Sequence, residues 1–330
     1  MQTMRLGRTG PIVSAVGLGC MGMSGVYGPA DEKESIATIR AAVEAGVTLI
    51  DSGDFYGMGH NEMLIREALK GVPRERVILS IKFGALRGPG GTWGGVDNRP
   101  QALRNFLAYS LQRLGTDHVD IYRPARLDPA VPIEETAGAI ADLVKAGHVR
   151  HLGLSEVGAA TIRRAHAVHP VADVQLEYSL MSRSIEASIL PACRELGIGI
   201  TAYGVFCRGL LAGQLPDPDD KGDIRTLRMP RFQPANLPHN LALVETLSRI
   251  AAALGRTPAQ LAIAWVASRG KDILPLIGTR RRESLLEALD TLGLELDGAA
   301  LAEIEAAVPA EKVAGTRYDA AQMSHLDSER

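Results

Sequence analysis

Three cysteines in 330 residues are too few, and too irregularly placed, for a disulfide framework. Cys20, Cys193 and Cys207 are odd in number and show neither a CxxC pair nor Cys/His zinc spacing, so they read as free thiols. No His/Asp/Glu cluster has convincing ligand spacing either, which disfavours a metal-dependent or phosphosugar enzyme and leaves no metal expected. Charge of one sign is also lacking. Lys and Arg number 36 against 38 Asp and Glu, a net charge of −2, so no global field draws nucleic acid or an anionic membrane. No apolar run approaches the ~18 residues of a membrane span. The polar, basic start from Met1 to Thr9 leads into no apolar h-region, and the expectation is a cytoplasmic protein with a small-molecule partner. What the chain does have is 46% hydrophobic residues, enough for a large core, in one large domain or two ordinary ones.

Short β-rich runs alternate with amphipathic stretches from one end to the other. Eight runs have strand character: Val13–Leu18, Val47–Ile50, Val77–Lys82, His118–Tyr122, Val149–Leu154, Val174–Tyr178, Ile198–Tyr203 and Ile273–Ile277. Helical patterns lie between them over Glu32–Ala45, Asn61–Lys70, Gln101–Leu114, Ile133–Lys145, Ala159–Val168, Ile185–Leu196 and Leu241–Leu254. Asp31 is the capping candidate of the first helix, and Ile36, Ile39, Ala42 and Val43 share its face. Gly46, Gly71, Gly115, Gly147, Gly197 and Gly255 stand where helices end in a left-handed residue.

Eight strand–helix units close as a barrel or lie open as a doubly wound sheet, and periodicity alone does not choose. Gly17-Leu18-Gly19-Cys20-Met21-Gly22 has the glycine spacing of a dinucleotide fingerprint. The turn-rich Ser24 to Ala30 follows it where the fingerprint requires a helix, which argues against the open sheet. Three segments exceed ordinary loop length: Gly84–Pro100, Phe206–Pro238 and the tail Val308–Arg330. Substrate loops of barrel enzymes occupy such places. Trp93 reads equally as an aromatic wall on a lid or as a ring packed on the barrel rim.

Asp51 and Lys82 stand at the ends of successive strand candidates, and Tyr56 follows Asp51 by five residues. In a barrel such positions converge on one mouth. A structural Asp–Lys ion pair is one reading. The other is catalytic: Asp51 orients Lys82, Lys82 lowers the Tyr56 pKa, and Tyr56 protonates an oxygen that gains negative charge as hydride arrives at carbon.

Leu49-Ile50-Asp51-Ser52-Gly53-Asp54-Phe55-Tyr56-Gly57 with His60-Asn61-Glu62, and Ile81-Lys82-Phe83-Gly84, resemble the signatures of the aldo-keto reductase family. Gly153-Leu154-Ser155-Glu156, Gln175-Leu176-Glu177-Tyr178-Ser179, Ala202-Tyr203 with Arg208-Gly209-Leu210-Leu211, and Ile277-Gly278-Thr279-Arg280-Arg281 are similar to its cofactor-contacting segments. The likeness spans nearly the whole chain. It implies one (β/α)8 TIM-barrel domain over residues 1–330, with a short N-terminal β-hairpin and long substrate loops, binding NADPH in preference to NADH without a Rossmann fold. Asp51, Tyr56 and Lys82 would be catalytic. Tyr203 would stack on the nicotinamide, Ser155 and Gln175 would hold its carboxamide, and Met21 and Asp51 would lie against the cofactor. Gly204, Val205, Arg208, Gly209 and Leu210 would pass along the pyrophosphate. Gly278, Thr279, Arg280, Arg281, Ser284 and Glu287 would hold the adenosine end, the arginines taking the 2′-phosphate.

The sequence departs from the family at Ser284 and Ala288, where an arginine and an asparagine are common. The larger departure is in Asp120-Ile121-Tyr122-Arg123-Pro124-Ala125-Arg126-Leu127-Asp128-Pro129, where Ala125 occupies the place of the family's catalytic histidine. Two readings follow: an NADPH-dependent reductase of aldehydes and ketones (or dehydrogenase of the corresponding alcohols), and a weakly active NADPH-binding sensor. The substrate, the direction and the oligomeric state are left open.

Overall fold

A computed structural model of the chain describes residues 1–217, 219 and 222–330; the long segment 206–238 is thus described except at 218, 220 and 221. An antiparallel hairpin, β1 (Thr3–Arg5) and β2 (Ile12–Ser14), precedes a closed parallel barrel. Around the wall run β3 (Gly17–Gly19), β4 (Leu49–Gly53), β5 (Ile78–Phe83), β8 (Val119–Pro124), β9 (Val149–Ser155), β10 (Val171–Glu177), β11 (Gly199–Tyr203) and β12 (Ile273–Gly278), and β12 pairs back onto β3. A second hairpin, β6 (Ala85–Arg87) with β7 (Trp93–Val96), leaves the wall between β5 and β8. The (β/α)8 architecture implied by the sequence is the one found.

The helices alternate with these strands: α1 (Glu32–Glu44), α2 (His60–Ala68), α3 (Pro100–Leu114), α4 (Ile133–Lys145), α5 (Ala159–Val168) and α6 (Ile189–Leu196). After β11 come a short α7 (Ile224–Arg228), then α8 (Leu237–Ala253) and α9 (Pro258–Ser268). After β12 come α10 (Arg282–Leu289) and α11 (Gly298–Ala307). Local chemistry sets the ends. Asp31 accepts from the Glu34 N–H at 2.8 Å at the start of α1, and Ile39, Ala42 and Val43 are buried on its inner face. Gly115 and Gly197 end α3 and α6 at φ 69°, a conformation that costs a residue with a Cβ.

Differences from the sequence expectation concern boundaries and splits. The run Val13–Leu18 divides into β2 and β3 because the Ser14 hydroxyl donates to the Val16 carbonyl at 2.7 Å and accepts from the Thr48 N–H at 2.9 Å, while the Ser14 N–H donates to the Thr48 hydroxyl at 2.8 Å, which turns the chain from hairpin into wall. The helix expected from Ile185 starts at Ile189, after a separate 3-10 turn at Ser184–Glu186. Gly84–Pro100 is largely a hairpin rather than a plain loop, and Trp93 on it is 51% exposed, so it is not packed on the rim. No single described helix is long and apolar enough to cross a membrane. All three cysteines are free and buried.

Candidate active site

Strand alternation decides which side chains enter the barrel. Leu49, Ile121, Leu274 and Leu276 fill its lower part together with Leu6 and Val13, so the N-terminal hairpin plugs the bottom. Above this layer the interior turns polar. Arg123 and Asp173 are fully buried and paired at 3.0 Å, and the Thr201 hydroxyl donates to Asp173 at 2.5 Å. Arg123 also donates to the Ser80 hydroxyl at 2.9 Å, and Ser80 in turn donates to Asp51 at 2.8 Å. Asp51 then accepts from the Lys82 ammonium and, at 2.8 Å, from the Gln175 amide. A chain of ion pairs and hydrogen bonds therefore crosses the barrel from β10 through β8 and β5 to β4. Buried charges of this kind persist only when each is paired, and removing one partner typically costs about 3–5 kcal/mol.

Tyr56 lies on the turn leaving β4. That turn is fixed from below: the Ser52 hydroxyl donates to Asn61 at 2.6 Å, and the Asn61 amide donates to the Cys20 carbonyl and the Ser24 hydroxyl, both at 2.8 Å. The Asp54 N–H ties it to the Lys82 carbonyl at 2.9 Å. The Tyr56 ring is buried, with the Lys82 ammonium 5.3 Å from its centroid. Burial raises the Tyr56 pKa well above its ordinary value and the Asp51 charge raises it further, while Arg126 pulls it down. The lowering expected from Lys82 is not what the chain by itself produces, because the ammonium is turned to Asp51. Burial also lowers the Lys82 pKa, with the Asp51 carboxylate opposing. The phenol consequently holds its proton at neutral pH, as a donor must.

The sequence placed cofactor contacts at the remaining strand ends, and all of them lie on the C-terminal side of the barrel. Ser155 closes β9 and Gln175 lies on the adjacent β10, paired in register. The Ser155 hydroxyl is buried with no hydrogen-bond partner among the described residues, an orphan that a bound carboxamide would satisfy. Tyr203 ends β11 half-buried. Beyond it Gly204, Cys207, Arg208 and Gly209 all have positive φ, the two non-glycines at 48° and 56°, a strained loop of the sort found at ligand clamps. Val205 and Leu210 anchor this loop in the core. Met21 opens a 3-10 turn after β3.

At the far end Gly278 closes β12 and Thr279 leads into α10, which carries Ser284 and Glu287. The arginine run splits its tasks. Arg280 donates to the Gly28 carbonyl at 2.9 Å, and Arg282 is committed to Glu34 at 2.9 Å. Arg281 immediately precedes α10, makes no side-chain capping bond there and is exposed. These residues fit a nicotinamide dinucleotide, whose carboxamide Ser155 would hold and whose adenosine end would meet Arg281. Among the described residues no group of three or more His, Cys, Asp and Glu side chains could hold a metal.

Sequence reasoning missed a second charged cluster beside the first. Glu156 follows Ser155 at φ 55°, and Glu177 lies two residues beyond Gln175; both are buried. Arg317, from the C-terminal tail, binds Glu156 at 2.5 Å, and the Ser328 hydroxyl donates to the same carboxylate at 2.7 Å. Arg208 binds Glu177 at 2.8 Å, with Arg231 at 3.5 Å. The Tyr318 and Tyr203 hydroxyls are 2.9 Å apart, so the tail closes on the candidate stacking tyrosine. The glutamates at two strand ends and the arginines in the long segments were the available signal. Their pairing, across 31 residues for Glu177–Arg208, 54 for Glu177–Arg231 and 161 for Glu156–Arg317, was not.

Ala125 is buried just past β8, where its N–H donates to the Phe83 carbonyl at 2.8 Å, and its methyl group offers no hydrogen-bond donor. Of its two arginine neighbours, Arg123 points into the barrel. Arg126 is half-buried, bonded to the Ala125 carbonyl at 2.7 Å and the Tyr318 hydroxyl at 3.4 Å.

A parallel eight-stranded barrel thus brings Asp51, Lys82 and Tyr56 together at its C-terminal mouth. The aldo/keto reductase family description matches residues 15–309. A probable aldo-keto reductase 1 from Glycine max is 40% identical over 319 residues, covering 96% of this chain and 92% of that protein. Among solved structures, a glycerol dehydrogenase from Gluconobacter oxydans superposes with a TM-score of 0.82 at 26% identity, covering 99% of this chain and 96% of that one. An aldo/keto reductase from Klebsiella pneumoniae, solved with NADP and acetate, gives 0.75 at 26% identity, covering 96% and 98%. The chain belongs to the aldo/keto reductase family, and so to a family of oxidoreductases.

Proposed function

We propose that the chain is an NADPH-dependent oxidoreductase that reduces an aldehyde or ketone, or oxidises the corresponding alcohol, with Tyr56 as proton donor. The observation that carries this reading is the single network joining Gln175, Asp51 and Lys82 beside the Tyr56 ring. NADP bound to the Klebsiella pneumoniae relative supports the cofactor class. When bound, the cofactor supplies the hydride.

The chain's own residues supply the rest. Tyr56, kept protonated by burial, gives its proton to the carbonyl oxygen as negative charge develops there. Lys82 places a positive charge beside the resulting phenolate. Asp51 keeps Lys82 charged against the cost of burial, and by accepting from the Gln175 amide it leaves the other end of that amide for the carboxamide. Arg281, exposed and without a carboxylate partner among the described residues, suits the 2′-phosphate that distinguishes NADPH from NADH. Ala125 favours a second reading, a cofactor-binding sensor with slow turnover, because one preorganised donor to the oxyanion is missing.

The test is NADPH consumption with a panel of aldehydes and ketones. Steady multiple turnover supports the reductase, tight NADPH binding with negligible turnover supports the sensor, and absence of NADPH binding contradicts both.

A further inference from the structure

The geometry points to Arg126 as the residue that receives a carboxylate on the substrate, making the natural substrate a carbonyl compound that carries a carboxylate group. This inference rests on the proposed carbonyl-reducing activity and names its substrate class.

The first observation is an imbalance of charge. Five other arginines of the barrel interior and its mouth each hold a carboxylate: Arg123 holds Asp173, Arg208 and Arg231 hold Glu177, Arg225 holds Asp223, and Arg317 holds Glu156. Arg126 has none within ion-pair distance among the described residues. Its guanidinium meets only the Ala125 carbonyl at 2.7 Å, the Tyr318 hydroxyl at 3.4 Å and, 5.8 Å from its centroid, the Tyr318 ring. Burial works against its charge, Tyr318, Tyr203 and the Glu156 carboxylate beyond ion-pair distance favour it, and no carboxylate pairs with it directly. Each of those five is satisfied from within the chain, whereas Arg126 is left open to an anion from outside.

The second observation is position. The Ala125 N–H bonds to the carbonyl of Phe83, the residue after Lys82, so Arg126 follows a backbone segment docked directly against the lysine strand. Its charge is felt at both the Tyr56 hydroxyl and the Lys82 ammonium. Across the mouth, Arg87 on the β6–β7 hairpin lies over the Phe55 and Trp93 rings at 5.7 and 5.5 Å, also without a carboxylate among the described residues. Two arginines with no directly paired carboxylate among the described residues thus lie near the proton donor, Arg126 half-buried and Arg87 exposed. An anion drawn to Arg126 is held beside Tyr56, where the carbonyl must react. The planar guanidinium fork matches the two oxygens of a carboxylate. A phosphate is the other anion such a fork takes, and the test separates the two.

The experiment compares kcat/KM for para-formylbenzoate and its methyl ester, which differ in charge and not in the reacting aldehyde, in the wild type, Arg126→Met and Arg126→Lys. A bidentate charge-assisted pair predicts about 10–100-fold preference for the acid in the wild type, falling to about 1 in Arg126→Met and to an intermediate value in Arg126→Lys. Calorimetric titration of the NADP+-loaded proteins with para-formylbenzoate reads the same interaction without turnover, and a melting curve confirms that each variant is folded. No acid preference in the wild type, or an equal preference in Arg126→Met, overturns the assignment. A preference for glyceraldehyde phosphate over glyceraldehyde, with none for acid over ester, overturns the carboxylate in favour of phosphate. If no aldehyde is reduced yet calorimetry shows carboxylate binding that Arg126→Met abolishes, the reductase reading fails and the anion site stands.

Discussion

Replacing Arg317 by methionine removes the cation that the C-terminal tail places against Glu156. The Glu156 carboxyl is fully buried, its partners are Arg317 at 2.5 Å and Ser328 at 2.7 Å, and the same guanidinium reaches Glu329 at 2.8 Å and the Tyr203 hydroxyl at 3.3 Å. Burial alone pushes the Glu156 pKa up. Arg317, with smaller help from Arg126 and Ser328, more than reverses this and brings it from 4.5 to about 2. At about 1.4 kcal/mol for each tenfold change in proton affinity, that fall is worth roughly 3 kcal/mol of folding stability. The figure agrees with the ~3–5 kcal/mol lost when one partner of a buried pair is removed.

The sign with pH follows from the direction of the shift. A depressed carboxyl pKa stabilises the fold fully above the unfolded value of 4.5, and the contribution is lost as pH falls toward about 2. In Arg317→Met only the weaker pull of Arg126 and Ser328 still opposes burial, so Glu156 takes up a proton more readily and the variant recovers part of its deficit in acid. Urea denaturation of both proteins at about pH 7 and about pH 4 should show a deficit of at least ~3 kcal/mol that narrows by roughly half at the lower pH. A deficit below ~1 kcal/mol, or one equal at both pH values, would refute the clasp.

Three other perturbations address separate parts of the account. Burial, with the nearby Glu62 charge, pushes the Asp54 carboxyl from 3.8 up to about 7, so stability falls as pH rises between these values; Asp54→Asn should raise Tm more at about pH 8 than at about pH 5, and equal gains would contradict the assignment. Ala125→His restores an oxyanion donor and should raise turnover of small aldehydes by up to ~10²–10³-fold; no gain, in a protein whose structure shows the imidazole facing the mouth, would sink the missing-donor explanation. Arg281→Ala should weaken NADPH by about 10-fold and leave NADH affinity unaltered, as read by fluorescence titration; equal losses for both cofactors would remove Arg281 from 2′-phosphate recognition.

The barrel was legible because its strands and most of its helices carry strong periodic signals and glycine stops. Helix α9 was missed for a physical reason: it is buried along Ala259–Val266 on every side, so no polar face marks it. Its start was written in the capping box of Thr257 and Gln260, which a search for amphipathic faces passes over. The Asp51, Tyr56 and Lys82 constellation was readable because those residues sit at or just beyond the ends of consecutive strands, and β4 and β5 are neighbours in the wall. The Glu156–Arg317 and Glu177–Arg231 pairs were not readable, since nothing local links a strand end to a distant loop or tail. Arg123 and Arg126 show the same limit. They are three residues apart, and the first, inside β8, is sent to Asp173 while the second, past the strand's end, remains at the mouth.

The central claim is that Tyr56 donates the proton during carbonyl reduction, and a Tyr56→Phe comparison tests it most directly. The substitution removes one hydroxyl from a buried ring and none of the proposed cofactor contacts. With deuterium-labelled NADPH and an aldehyde substrate, the wild type should transfer deuterium to the product alcohol. Tyr56→Phe should bind NADPH as tightly and transfer deuterium about 10²–10⁴-fold more slowly. Transfer at the wild-type rate by Tyr56→Phe would contradict the account and move the proton donor elsewhere in the mouth.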